Sequence, residues 1–389
     1  MQSDPALDQF RVRSVRADHS HTASAFLAKF QSTAASLEAD EKIKLVVAYP
    51  RESSMELVKA VLSDPQASRI CALCWECNEE EDVSSIVPLL TNNCPELVLL
   101  LVDFEHRSAF DFVSGVLEHP CTKVKVLELR KDTMGDIPRF FAALEQSQVS
   151  ALTFFIDDSP ELAQGLFEYL AKDLLVRFMV RMSRKQVPSE LMMSLVDCAR
   201  LVDLEMMLCH FSQPTALTHL PKFLTKLTLL DGMFVDGFDW SFLATSNVRE
   251  LDLLYMKCVD GSQLGGALAV HLKAKGLDRL RFYKCDFANE ALAVAGAEFG
   301  RIKSLELTYC YLNDASIKLV AIALESPNNE LRELKLEYKR DTASSIEDHL
   351  VPALRHPNCN LEKLSLLSHG KAAKAMEDFR KRRASSALL

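Results

Sequence analysis

Cys71, Cys74 and Cys77 form a C-x-x-C-x-x-C run, a thiol spacing that suits a soft metal ion or a redox centre. A tetrahedral zinc site needs a fourth ligand, and no second close cysteine pair supplies one. His210 follows Cys209, and His19 and His21 lie close together, but neither set falls within an evident nucleophile and base constellation. The chain has no G-x-x-x-x-G-K-S/T phosphate loop, no H-E-x-x-H helix and no G-x-S-x-G elbow. These residues point away from an enzyme and toward a protein with no metal and no cofactor.

A second set suits binding rather than bond-making. Tyr255, Tyr283, Tyr309 and Tyr338, four of the seven tyrosines, recur at similar intervals. Tyrosine covers much apolar area at low entropic cost and keeps a polar tip, which makes it a common interface anchor. Between them Asp252, Arg281, Glu306 and Lys335 recur with alternating charge.

A repeated structural unit must position such residues. The phrase L-x-x-L-x-L, with apolar positions 1, 4 and 6, is clearest at Val248, Leu251, Leu253; Ile302, Leu305, Leu307; Leu331, Leu334, Leu336; and Leu361, Leu364, Leu366. Looser copies start at Leu277, Leu224, Leu201, Leu175, Val149, Val124, Leu97, Ile70 and Ile43. Successive starts differ by 23 to 30 residues, a spacing too regular for chance apolar clusters. Between copies run helix-spaced apolar residues such as Ile346, Leu350 and Leu354. Asp314 and Thr342 precede two of these stretches, and Pro138, Pro160 and Pro188 suit a first helical turn.

A strand-plus-helix unit of this size cannot cover its own apolar face, so neighbours must stack. Each buried Leu contributes roughly 1.5 to 3 kcal/mol against the ordering entropy. Helices are wider than strands spaced about 4.8 Å apart, so the stack bends with its strands inside. The expected fold is an α/β horseshoe of about 13 repeats, with a concave parallel sheet and convex helices.

Over Ile43 to Ser368 the chain resembles the leucine-rich repeat family, and within it the ribonuclease-inhibitor-like subfamily with long helical repeats. That family places Asn or Cys at position 9, where the side chain bonds backbone in the turn. Cys209, Cys285, Cys310 and Asn78 match it, and Phe211, Phe287 and Leu312 match the apolar position 11. Met256, Gly232, Asp132 and Lys339 depart from it at position 9. The resemblance implies a non-catalytic scaffold that binds a protein. It also admits a GTPase activator like the Ran GTPase activators, although their acidic tail is absent, and a substrate-receptor or adaptor subunit, although residues 1–42 do not resemble an F-box.

In this register Asp252, Arg281, Glu306 and Lys335 hold position 5, on the inner sheet surface. Tyr255, Tyr309 and Tyr338 hold position 8 and Tyr283 position 7, at the strand ends. The charges read either as a mixed binding surface or as a lateral ion-pair row that keeps the sheet soluble. The tyrosines read either as partner anchors or as an edge ladder. Further toward the N-terminus the inner surface carries Arg177, Met179, Arg181 and Met182, then Asp203, Glu205 and Met207. Those methionines either adapt to a partner or belong to the core. Cys71, Cys74 and Cys77 fall at positions 2, 5 and 8, spread over both faces of a strand.

Residues 1–42, with apolar Ala25, Phe26, Phe30 and Leu37, read as a helical N-terminal cap or a docking helix, and 43–368 as the solenoid. Residues 369–389 read as a basic helical tail with a flexible end. Lys371 to Arg383 carries six basic and two acidic residues, which leaves about −13 of the net −9 on the remainder. So acidic a body repels phosphate backbones and argues against nucleic acid. Ser385 follows Arg382 and Arg383 as a candidate phosphorylation site, and the Arg380 to Arg383 run invites a nuclear reading. Eleven cysteines, no N-x-S/T acceptor, no apolar signal core and no apolar stretch of about 18 residues fit a monomer in the cytoplasm, off the membrane.

Overall fold

The computed structural model describes residues 11–17, 22–48, 54–77, 83–104, 109–129, 135–156, 159–182, 186–211, 219–235, 237–257, 259–338 and 343–367. The chain divides into two compact units, Met1–Arg181 and Met182–Leu389.

The first unit alternates strands and helices. Its strands are β1 (Arg11–Ala17), β2 (Glu41–Val47), β3 (Ile70–Cys77), β4 (Leu99–Phe104), β5 (Val126–Leu129), β6 (Ala151–Ile156) and β7 (Arg177–Met182). They lie side by side in chain order, and the pairs from β1 to β6 are parallel. Between them run α1 (Ala23–Ala35), α2 (Ser54–Leu62), α3 (Ile86–Asn93), α4 (Ala109–Leu117), α5 (Ile137–Gln146) and α6 (Pro160–Leu170). The stretch 1–42 thus holds the expected helix and, before it, a strand paired to β2.

The second unit repeats the pattern. It contains β8 (Asp203–Met207), β9 (His210–Phe211), β10 (Lys226–Leu230), β11 (Met233–Phe234), β12 (Glu250–Leu254), β13 (Leu277–Tyr283), β14 (Ile302–Leu312), β15 (Glu333–Tyr338) and β16 (Lys363–Leu367). Strands β8, β10 and β12 to β16 form parallel neighbours in that order, while β9 and β11 pair separately in the turns. Its helices are α7 (Ser189–Val196), α8 (Ser241–Thr245), α9 (Gly261–Lys275), α10 (Ala288–Ala295), α11 (Asp314–Glu325), α12 (Ala343–Ser345) and α13 (Val351–Arg355).

All thirteen copies of the phrase become strands, β2 to β7 in the first unit and β8, β10 and β12 to β16 in the second. The architecture is that of a leucine-rich-repeat solenoid. The cause is visible in burial: Leu251, Leu253, Leu305, Leu307, Leu334 and Leu336, at positions 4 and 6, are all buried. The register started at Leu175 holds, because Phe178 and Val180 are buried there, and Met182 joins the core. The register started at Ile43 needs a correction of one residue. Leu45 pairs with Leu73 and Val47 with Trp75, so these two occupy positions 4 and 6, and a bulge after Ile43 absorbs the slip. With a side-chain period of two, the uncorrected register would have turned the wrong face inward.

Helix starts follow local chemistry. Asp136 and Ser159 cap α5 and α6 by accepting from the Arg139 amide at 3.0 Å and the Leu162 amide at 3.2 Å, and Pro138 and Pro160 sit in those first turns. Pro188 directly precedes α7. The cap of α11 is Asn313, which accepts from the Ser316 amide at 2.9 Å, and Asp314 is the first helical residue rather than the cap. Thr342 lies outside the described residues. No described helix is long and apolar enough to cross a membrane.

The two units differ on the sheet face turned away from the helices. In the first, Ala72, Cys74, Leu99, Leu101 and Val126 form a buried apolar cluster with Val46 and Ala151 against it. In the second, most of the same positions carry charge, with Thr228, Ser304 and Ser365 between them.

Candidate partner-binding edge

Strand pairing in the second unit sets Asp252 beside Arg281, Arg281 beside Glu306 and Glu306 beside Lys335. The position 5 row is therefore real, and it is partly an ion-pair row. Arg281 Nε lies 3.4 Å from Glu306, and Lys335 Nζ lies 2.7 Å from the same carboxylate. Asp252 pairs differently: its Oδ1 lies 3.5 Å from Arg279 Nε, a position 3 residue that the sequence reading passed over. Position 3 forms a parallel row, with Lys226 3.2 Å from Asp203 and Lys363 bonded to Glu333.

Asp252 is only 4% exposed. Burial pushes its carboxyl above the usual carboxylate range, and Arg279, Arg281 and Lys226 pull it back only in part. Partly exposed pairs such as Arg281–Glu306 each contribute at most about 1 kcal/mol.

The strand ends are shaped by an unusual backbone. Leu208, Asp231, Tyr255, Lys284 and Tyr309, all at position 8 in successive repeats, have φ between 49° and 57°. Non-glycine residues adopt this left-handed region at a cost of roughly 1–2 kcal/mol each. Backbone bonds hold the first four there, each amide donating to the position 7 carbonyl of the next repeat, as Tyr255 does to Tyr283 at 2.7 Å and Lys284 to Thr308 at 3.0 Å. Position 9 then turns inward. Cys285 Sγ donates to the Leu253 carbonyl at 3.2 Å, and Cys310 Sγ to the Phe282 carbonyl at 3.4 Å, which ties the turn to the preceding repeat. Asn78 and Lys339 lie outside the described residues.

This geometry gathers Tyr255, Tyr283 and Tyr309 into one row of tilted rings, with centroids 5.0 Å and 5.1 Å apart and interplanar angles of 54° and 66°. Tyr255 is 38% exposed, Tyr309 43% and the neighbouring Tyr311 56%. A hydrogen bond with Tyr255, reinforced by burial, pushes the Tyr283 hydroxyl up to about 12. Tyr338 closes β15, and its side chain lies outside the described residues, as does Ser385.

Lys284 completes the cluster. It holds position 8 between Tyr255 and Tyr309, and its Nζ sits 4.9 Å from the Tyr255 ring, 5.7 Å from Tyr309 and 6.0 Å from Tyr283. Sequence reading chose tyrosines by type and missed it, although the register number alone marks the position.

No family model matches the chain, and no curated protein matches it in sequence. Among solved structures, a plant peptide hormone receptor, RGFR1 in complex with RGF2, matches at 10% identity with a TM-score of 0.30. That match covers 88% of this chain and 46% of the receptor chain, so the protein spans less than half of that chain's length. Neither the receptor's ligand nor its activity transfers to this protein on such a likeness.

Burial keeps the described cysteines of the C-x-x-C-x-x-C run from solvent. Cys71 donates to the Ile43 carbonyl at 3.6 Å, and burial pushes its thiol up to about 11. Cys74 is buried, and the Cys77 side chain lies outside the described residues. Among the described residues no group of three or more His, Cys, Asp or Glu is placed to hold a metal ion. His210 lies in the turn strand β9, while His19 and His21 lie outside the described residues. Met179 and Met207 are half-buried on the sheet face, whereas Met206 and Met182 are core.

Proposed function

We propose that this protein is a non-catalytic binding scaffold of the ribonuclease-inhibitor-like type. Its partner is a protein, held on the strand-end edge of the second unit and the adjoining charged sheet face. Residues 1–42 serve as the cap and 369–389 as a basic tail. The setting is a reducing one, the cytoplasm or nucleus, which the thiol form of the nine described cysteines supports.

One observation carries the reading. Three tyrosines and a lysine from consecutive repeats are drawn into a single cluster, with Tyr255, Lys284 and Tyr309 exposed on a left-handed backbone and Tyr283 half-buried between them. An edge ladder needs no such exposure, because stability is served equally by aliphatic residues packed flat, whereas aromatic anchors with polar tips suit an interface. The neighbouring charges are matched across strands, so the sheet face is neutral in detail and tolerant of burial by a partner.

Capture from cell extract tests it. Wild type is compared with Tyr283→Ala plus Tyr309→Ala, both checked for folding by circular dichroism. The double variant is expected to lose its principal partner. If the folded variant retains every partner at full strength, the binding edge is elsewhere.

A further inference from the structure

The cation at the centre of the tyrosine stack is not neutralised in the way its neighbours are. Lys226, Arg279, Arg281, Lys335 and Lys363, on the rows beside it, each have a carboxylate within 4 Å on an adjacent strand. Lys284 has none among the described residues and rests on three ring faces instead. Ring quadrupoles attract an ammonium but leave its outward hydrogens free to donate.

We propose that Lys284 receives an aspartate or glutamate carboxylate from an acidic peptide segment of the partner. This rests on the scaffold reading above. The rings of Tyr255 and Tyr309 fix the ammonium in place before the partner arrives, so little side-chain freedom is lost on binding. Their flanks pack against the acidic residue's stem, and their hydroxyls add donors near the seat. The Tyr255 and Lys284 amides are already spent within the fold, so recognition runs through side chains and not by addition of a strand.

The surroundings limit the ligand to isolated carboxylates. Asp286 is exposed two residues beyond Lys284, Glu337 lies near Tyr283, and the chain carries a net charge of −9. A dense polyanion such as a nucleic acid meets repulsion on all sides, whereas one carboxylate flanked by apolar residues fits the cation and the rings together.

The test uses the full chain and fluorescein-labelled synthetic peptides read by anisotropy: a repeated Gly-Leu-Glu peptide, its Gln counterpart and its Lys counterpart. Wild type is expected to bind the Glu peptide about two- to fivefold more tightly than the Gln peptide, the size of a partly exposed charge pair. Added salt should narrow that gap. Lys284→Gln should reduce the Glu peptide to the level of the Gln peptide and leave the Gln peptide unchanged. Equal binding of Glu and Gln peptides, preference for the Lys peptide, no binding of any, or a folded Lys284→Gln that binds the Glu peptide as wild type does, each overturns the proposal. Partner capture that depends on Tyr283 and Tyr309 but not on Lys284 would sink this inference alone and leave the scaffold reading standing.

Discussion

Asp252 meets Arg279 diagonally across the β12–β13 pair with 3.5 Å between Oδ1 and Nε, and yet that carboxyl oxygen makes no hydrogen bond. Desolvation outweighs three nearby cations, so the folded state holds a proton on Asp252 more tightly than the unfolded chain does. For a raised group, stability is complete below the ordinary value near 3.8 and is lost as pH rises through the raised one. Asp252→Asn is therefore expected to match or exceed wild type at pH 7, by roughly 1 kcal/mol. The advantage should shrink as acid is added. Thermal melts of both proteins across pH decide it, and a clear loss of stability in the variant at neutral pH would show that the Coulombic attraction wins.

His271 is 2% exposed, and both its ring nitrogens meet carbonyl oxygens, Leu243 at 2.7 Å and Val248 at 2.9 Å. Burial lowers its pKa from the ordinary 6.5; the two carbonyls oppose that shift, and Lys275 and Arg249 add to it. With the folded value depressed, stability is full above the ordinary value and falls as pH drops from there toward the folded value. Denaturant unfolding should show wild type losing stability as pH falls below the ordinary histidine value of 6.5. His271→Leu should show a smaller pH response but lower stability at pH 7.5, by about 1–3 kcal/mol, because a buried carbonyl loses the one N–H that the neutral ring donates. A variant with the wild-type pH response would remove His271 as its source.

Much of this molecule was legible before any coordinates. A hydrophobic period of 23 to 30 residues names thirteen of the sixteen strands, all but β1, β9 and β11, because a parallel stack has no other way to bury Leu251, Leu305 and Leu334 together. Two things escaped. The bulge after Ile43 is written in pairing geometry and not in residue type, so the first copy was set one residue off. The left-handed turn at position 8 carries no glycine or asparagine signal, since Leu208, Tyr255 and Lys284 are held there by amide bonds to the next repeat. That turn gathers the tyrosines around Lys284, and so the cation at their centre was not foreseen from a search for aromatic types.

Thiol reactivity follows burial. Burial pushes Cys94, Cys209 and Cys285 up to about 12 and Cys71 and Cys310 up to about 11, while Cys121 is exposed. Only the thiolate reacts, so these five are silent at neutral pH unless the fold opens. Alkylation of native protein at pH 7.5 followed by peptide mapping is expected to label Cys121 first among the six. Rapid labelling of Cys285 or Cys310 without denaturant would mean that the position 9 bonds to the Leu253 and Phe282 carbonyls open readily.

Backbone strain and binding separate at position 8. Leu208 pays for a φ of 57° with no ring stack or cation contact among the described residues, whereas Tyr255, at 56°, stacks on Tyr283 and flanks Lys284. Asparagine tolerates the left-handed region better than either. Leu208→Asn should raise stability by about 0.5–1 kcal/mol and leave partner capture unchanged. Tyr255→Asn relieves the same strain but loses the aromatic contacts, worth about 0.5–1.5 kcal/mol for the ring pair. Its stability should therefore change little while capture weakens. Thermal melts and capture on both variants test this, and equal loss of capture from Leu208→Asn would mean that the turn itself, rather than the tyrosine it presents, makes the contact.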